Sequence, residues 1–377
     1  MKQKQRRANP PRRIKRVIGF LRSLGRRRIE VQAGLQKKAF YCAALNGESN
    51  YNISVNSDMT VSCNCQDFDQ TGRLGDLRKN TLREVFDGPV AREFRDKLAA
   101  GRLPISRCAR CWDLRTVSRP EAAKHRDHYD LPRTGIMVEN TILCNLQCFS
   151  CCNQVATKQR VGKIMSLEDV KKISREIKEH QIRRVSYFKL GEPFLSPRLN
   201  EELAILKGDN PDLVISVSTN GVLVDTDRKR DAALMLDEII FSIDGIDDAT
   251  VTRYQVGSDF SKAHKNLVDL VKHRNRLNRT KPLIEWKYVL FNWNDRPHMI
   301  YSAIEMARQS GVDVISFWPT LSPLRGISWR YYLGGFFKKI GQPSWKGREV
   351  LFNDPPSRPQ TPKPAALTEP ATSTSVL

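Results

Sequence analysis

Three cysteines, Cys144, Cys148 and Cys151, fall within one short run, Cys144-Asn145-Leu146-Gln147-Cys148-Phe149-Ser150-Cys151. Spacings of three and then two residues hold three thiolates on one tight loop, where they can ligate three irons of a cubane and leave the fourth iron open. The chain must turn sharply straight after an apolar stretch, Gly135 to Thr141, and give that turn a rigid support. Zinc suits the spacing less well, because zinc sites pair Cys-x2-Cys with a second such pair or with two histidines. The adjacent Cys152 lies outside the pattern and reads as a packed thiol.

From about residue 136 onward, apolar β-branched runs alternate with amphipathic stretches, the pattern of successive βα units on a parallel sheet. Strands are expected near Gly135 to Thr141, Val185 to Leu190, Leu213 to Thr219, Glu238 to Ile243, Ile284 to Leu290 and Val314 to Trp318. Ser166 with Asp169 forms a capping signature ahead of Leu167, Val170, Ile173 and Ile177. Asp295 and Pro297 open a helix that Gly311 closes. The expected fold class is α/β, a partial (β/α)6 TIM-like barrel preceded by a small cysteine-rich domain, with its reactive site at the carboxyl ends of the strands.

Cysteines at the end of the first strand, followed by further βα units, resemble the radical S-adenosylmethionine (SAM) superfamily. In that family the open iron chelates the amino and carboxylate groups of SAM, and an electron from the cluster splits it into methionine and a 5′-deoxyadenosyl radical. The resemblance implies that Cys144, Cys148 and Cys151 are the catalytic [4Fe-4S] ligands. It sets Gly191, Glu192 and Pro193 at the turn that holds the SAM amino group, although Leu190 stands where the family has a first glycine. It also sets Ser218 and Asn220, then Ser242 and Asp244, at the next two strand ends beside the ribose and the methionyl carboxylate. Phe149 becomes a candidate for the ring beside adenine, since the residue before the third cysteine is Ser150.

Cys42, Cys63, Cys65, Cys108 and Cys111 precede the barrel. With a turn at Asn56-Ser57-Asp58, a short strand from Met59 to Cys63 and a helical stretch from Thr81 to Leu98 broken at Gly88-Pro89, they resemble the SPASM or twitch auxiliary iron-sulfur module. The resemblance implies Cys42, Cys63, Cys108 and Cys111 as ligands of an auxiliary [4Fe-4S] cluster, with Cys65 competing for the place of Cys63. In most relatives this module follows the barrel. A zinc site from Cys108, Cys111, His125 and His128 is the rival reading. His180, His264, His273 and His298 read as surface residues.

The chain carries a formal charge of +22, and residues 1–38 hold fourteen Lys or Arg against the single acid Glu30. Ile14, Val17, Ile18, Leu21 and Leu24 recur there at near-helical spacing, so this arm suits an anionic membrane surface or RNA, or is a solvated tail. The expected organisation is the arm (1–38), the auxiliary module (39–132), the barrel (133–322), an extension (323–352) and a Pro/Ser/Thr-rich disordered tail (353–377). No signal segment is evident, so clustered cysteines point to a reducing cytoplasm, with contact to the inner membrane face through the arm.

The expected function is hydrogen abstraction from a peptide or protein substrate, fed by flavodoxin or ferredoxin. A saccharide, lipid-linked or RNA substrate is the alternative. A non-catalytic iron-sulfur or zinc protein bound to nucleic acid is the third reading.

Overall fold

The computed structural model describes residues 25–49, 51–344 and 347–352. The amphipathic repeat between Ile14 and Leu24 and the tail over 353–377 therefore lie outside the described residues.

The chain forms β1 (Lys38–Cys42), β2 (Ser54–Val55), β3 (Thr60–Ser62), β4 (Arg73–Asp76) and β5 (Leu114–Ser118) before the barrel. It continues with β6 (Ile136–Val138), β7 (Arg184–Ser186), β8 (Val214–Thr219), β9 (Glu238–Ser242), β10 (Leu283–Leu290) and β11 (Val314–Pro319), and ends with β12 (Gln342–Ser344) and β13 (Gly347–Leu351). Strands β6 to β11 lie in sequential order and pair in parallel, the expected core. Helices cross between them because each presents one apolar stripe to the sheet. Leu167–Glu179 buries Val170, Ile173 and Ile177, and it begins at the expected capping box, in which Ser166 Oγ accepts from Asp169 N at 3.1 Å. Pro297–Ser310 opens on Pro297 and stops at Gly311, whose φ of 70° is left-handed.

The sheet is wider than the sequence predicts: outside the six parallel strands it marks only the short strand from Met59 to Cys63, seen here as β3. Antiparallel β13 and β12 extend it beyond β11, and β2, β3 and β4 extend it beyond β6, giving eleven strands with open edges at β12 and β4. The cysteine-rich segment thus continues the barrel sheet: Ser54 pairs with Met137 and Val55 with Val138. Among the described residues, β1 and β5 form a separate antiparallel ribbon. Its Phe40 packs with Leu98 and Leu103, and with Ala33 from a helix spanning residues 25–35.

The first two barrel strands are shorter than expected. After Val138, Glu139 and Asn140 are buried but point their side chains to Arg160 and Glu202. After Ser186, Lys189 turns toward β2, which takes the backbone out of the ladder. Three of the four histidines expected on the surface are not there, and His180, beside Glu176, is one of them. His264 packs between Phe260 and Trp286, where burial lowers its pKa, and His273 is buried against Asp231 at 2.8 Å. No described helix is long and apolar enough to cross a membrane.

Candidate active site

The loop from Cys144 to Cys151 is held along its backbone by the segment that follows β9. Gln147 N donates to Val256 O at 2.9 Å and Phe149 N to Tyr254 O at 2.7 Å. Asn153 closes the loop from behind, its Nδ2 donating to Ile142 O at 2.6 Å and to Leu190 O at 2.9 Å. The three thiols face one space. Burial pushes Cys144 up to about 11, with the Glu192 carboxylate and Cys151 adding to the shift. Burial also raises Cys148 strongly, followed by the charges of Cys151, Asp244 and Cys144, and it raises Cys151. Thiolates crowded in this way are stable only against a cationic centre, which is the condition a metal cluster meets.

The strand-end residues converge on the same place and also brace one another. Gly191 lies so close to the base of the cysteine loop that a Cβ there would stand 1.9 Å from Thr141 O. Glu192 is 2% exposed, and its carboxylate accepts from Thr219 Oγ1 at 2.7 Å, Asn220 N at 2.8 Å and Phe194 N at 3.2 Å. Burial raises its pKa to about 6, against those hydrogen bonds. The carboxylate thus ties the end of β8 to the turn after β7. Pro193 begins the short helical turn Pro193–Leu195, for which Glu192 is the cap.

Asn220 turns its side chain to Asn145 in the cysteine loop, at 2.8 Å. Ser218 and Ser242 lie side by side, with Oγ atoms 3.1 Å apart. Asp244 accepts from Val289 N at 3.0 Å, and burial lifts its pKa to about 6 against the pull of Lys287. Phe149 is covered by the Arg325 guanidinium, 4.0 Å from the ring centre.

A second cysteine set lines a pocket of its own. Cys42, Cys63, Cys108 and Cys111 surround it, with Leu45, Phe94, Leu98, Ile105 and Leu114 supplying apolar walls. Burial raises all four thiols. Asn64 Nδ2 donates to Cys111 Sγ at 3.3 Å, and Gly72 leaves room for Cys63 Sγ, which a Cβ would approach to 2.8 Å. Cys65 does not line the pocket; its thiol, raised to about 12 by burial, feels the charges of both Lys189 and Cys111.

Neither set is drawn in to the spacing of a single zinc ion. Zinc–sulfur bonds of about 2.3 Å bring tetrahedral thiolates about 3.8 Å apart. Among the described residues, only Glu176, Glu179 and His180 bring three metal-ligand atoms within 4.8 Å of one another. The rival Cys-His zinc site is not assembled: His125 stacks on Tyr41 at 3.7 Å, and its Nδ1 meets Asn46 Nδ2 at 2.9 Å.

Residues 140–283 match the model of the radical SAM superfamily, and residues 42–112 match that of an iron-sulfur cluster-binding domain, SPASM. The chain is a radical SAM protein with a SPASM module. These domains imply a [4Fe-4S] cluster used with SAM and an auxiliary iron-sulfur cluster.

Curated relatives include a probable GTP 3′,8-cyclase of Methanosarcina mazei, 36% identical over 32% of this chain and 36% of that protein. A GTP 3′,8-cyclase of Synechococcus sp. is 29% identical over 40% of this chain and 44% of that protein. The chain thus spans less than half the length of these relatives. Among solved structures, Streptococcus suis SuiB aligns with 78% of this chain and 64% of its own at 14% identity and a TM-score of 0.41. Native anSMEcpe with bound AdoMet aligns with 48% of this chain and 50% of its own at 20% identity and a TM-score of 0.38.

Several residues at the radical SAM site have no motif to announce them. Tyr254 has its hydroxyl pKa raised by burial and then by Asp244, Cys148, Cys151 and Cys152, which places it against the loop. Gln255 Nε2 donates to Ser242 O at 2.8 Å, and Asn294 Nδ2 donates to Asp244 O at 2.8 Å. Arg325 comes from outside the matched domain, on a turn whose Gly326 packs against Trp293. The one sequence signal was position: Tyr254 and Gln255 follow a strand end that already carried candidates.

Proposed function

We propose that this protein cleaves SAM reductively and uses the resulting radical to remove hydrogen from a peptide or protein. The convergence of three crowded thiols, the Gly191 turn and the ends of β8 and β9 on one space carries this reading. Cys144, Cys148 and Cys151 hold the catalytic cluster, whose bound form supplies the electron that splits SAM into methionine and a 5′-deoxyadenosyl radical. Glu192 positions the turn, leaving the backbone beside Gly191 to meet the amino group. Ser218, Asn220, Ser242 and Asp244 line the cleft, and Phe149 with Arg325 forms its outer wall. A reducing compartment and a small electron carrier such as flavodoxin or ferredoxin belong to the same reading.

Cys42, Cys63, Cys108 and Cys111 hold the auxiliary cluster, and Cys65 does not. Accordingly, C65A retains about eight irons per chain after anaerobic reconstitution, whereas C63A retains about four. Iron and sulfide counting separates the two: loss in C65A would contradict its exclusion, and about eight irons in C63A would remove Cys63 from its assigned place.

The peptide assignment rests on the auxiliary module, which in the family the chain resembles accompanies enzymes acting on peptides and also on carbohydrates and other small molecules. GTP is the rival, from the names of the curated relatives. Incubation of the reduced holoprotein with SAM and either a uniformly deuterated peptide pool or deuterated GTP tests both. Deuterium appears in the methyl group of 5′-deoxyadenosine with the peptides, and transfer from GTP alone contradicts the assignment.

A further inference from the structure

The SPASM module meets the barrel through a buried polar knot centred on Asn56, which is fully buried. Asn56 Oδ1 accepts two cationic donors: Arg160 Nη2 at 2.8 Å and Lys189 Nζ at 2.7 Å. Its Nδ2 donates to Thr60 Oγ1 at 2.9 Å and Ser62 Oγ at 3.0 Å. Guanidinium and ammonium groups only donate, so this orientation of the amide is the one that satisfies every partner.

Each donor belongs to a different part of the site. Arg160 ends the helix Asn153–Gln159 that leaves the catalytic cysteine loop, and its Nε donates to Glu139 Oε2 at 3.1 Å within a fully buried pair. Lys189 stands two residues before Gly191 in the SAM turn and also donates to Ser54 Oγ at 2.9 Å. On the module side, Ser62 Oγ donates to Asp67 Oδ2 at 2.8 Å, and Asp67 Oδ1 accepts from Gly72 N at 3.2 Å. Gly72 is the residue pressed against Cys63 Sγ. One amide thus joins the cysteine loop, the SAM turn and the wall of the auxiliary pocket. Two buried cations that share an acceptor repel each other, so their placement depends on it.

We infer that Asn56 is a positioning residue that couples the auxiliary-cluster module to SAM binding at the catalytic loop, an inference that rests on the function proposed above. N56A removes the shared acceptor, whereas N56D keeps an oxygen facing both cations.

The test is a titration of the anaerobic, dithionite-reduced holoprotein with SAM, read by the change it causes in the catalytic cluster's EPR spectrum, with iron counted in every sample. N56A weakens SAM binding about ten-fold and broadens the dipolar interaction between the two clusters, while N56D stays within about three-fold of the wild type. If N56A fails to load iron, K189M decides: it cuts the tie to the SAM turn, so SAM binding weakens while the auxiliary cluster's own spectrum is unchanged. Wild-type SAM affinity in whichever of these variants carries its full iron overturns the coupling. Failure of the wild-type protein itself to respond to SAM is a different result and strikes the proposed function instead.

Discussion

Alanine in place of Cys144, Cys148 or Cys151 lowers the iron of the reconstituted protein from about eight to about four per chain and brings SAM cleavage to background. The effect is all-or-none because two thiolates cannot keep a cubane at a site built for three, and an absent cluster removes the electron source altogether. The auxiliary site is unaffected: its four cysteines lie in a separate pocket with its own apolar wall. Iron and sulfide counts with an assay for 5′-deoxyadenosine check both halves of the expectation. Loss of all the iron from each variant would mean that the two cysteine sets do not form independent sites.

G191A is the second large effect. The new methyl group would stand 1.9 Å from Thr141 O, 2.7 Å from Thr141 C and 2.9 Å from Leu143 O, all backbone atoms at the root of the cysteine loop. Backbone cannot yield as a flexible side chain does, so the turn after β7 must shift. That shift strains the bond from Glu192 N to Leu143 O, now 2.7 Å, and the bond from Asn153 Nδ2 to Leu190 O. Overpacking of this kind costs about 1–3 kcal/mol, enough to lower Tm by about 5 °C. Because the strain falls on the turn assigned to the SAM amino group, SAM affinity drops by about 100-fold while the iron content stays near about eight. Thermal melts and SAM titration measure these separately. Wild-type SAM affinity in a fully loaded G191A protein would move the amino-group site elsewhere.

The catalytic loop was legible in sequence because its chemistry is local: three cysteines at fixed offsets after an apolar run. The six parallel strands were legible for a related reason, since apolar runs such as Leu283–Leu290 are buried almost throughout. Strand β3 falls on the short strand expected from Met59 to Cys63, but β2 and β4 carried no such signal. Ser54 and Asn56 are buried and polar, so no apolar run marks the sheet there.

The choice between Cys63 and Cys65 was hidden for a geometric reason. They stand two residues apart, so a regular strand would turn both to one face; β3 instead ends at Ser62, the chain bends through residues 63–66, and Cys63 but not Cys65 lines the pocket. Glu192 shows a different limit: a motif tells which carboxylate is present but not what it is bonded to. Its three donors come from strand ends far apart in sequence and from its own turn. Arg325 over Phe149 lay beyond reach altogether, because the two residues are brought together only by the fold after β11.

The most direct test is EPR of the anaerobically reconstituted, dithionite-reduced protein before and after addition of SAM, followed by analysis of the mixture for methionine and 5′-deoxyadenosine. The account predicts that one cluster signal changes on SAM addition, that the other does not, and that both products form in equal amounts. A fully loaded protein whose two signals are both indifferent to SAM, and which leaves SAM intact, would contradict it.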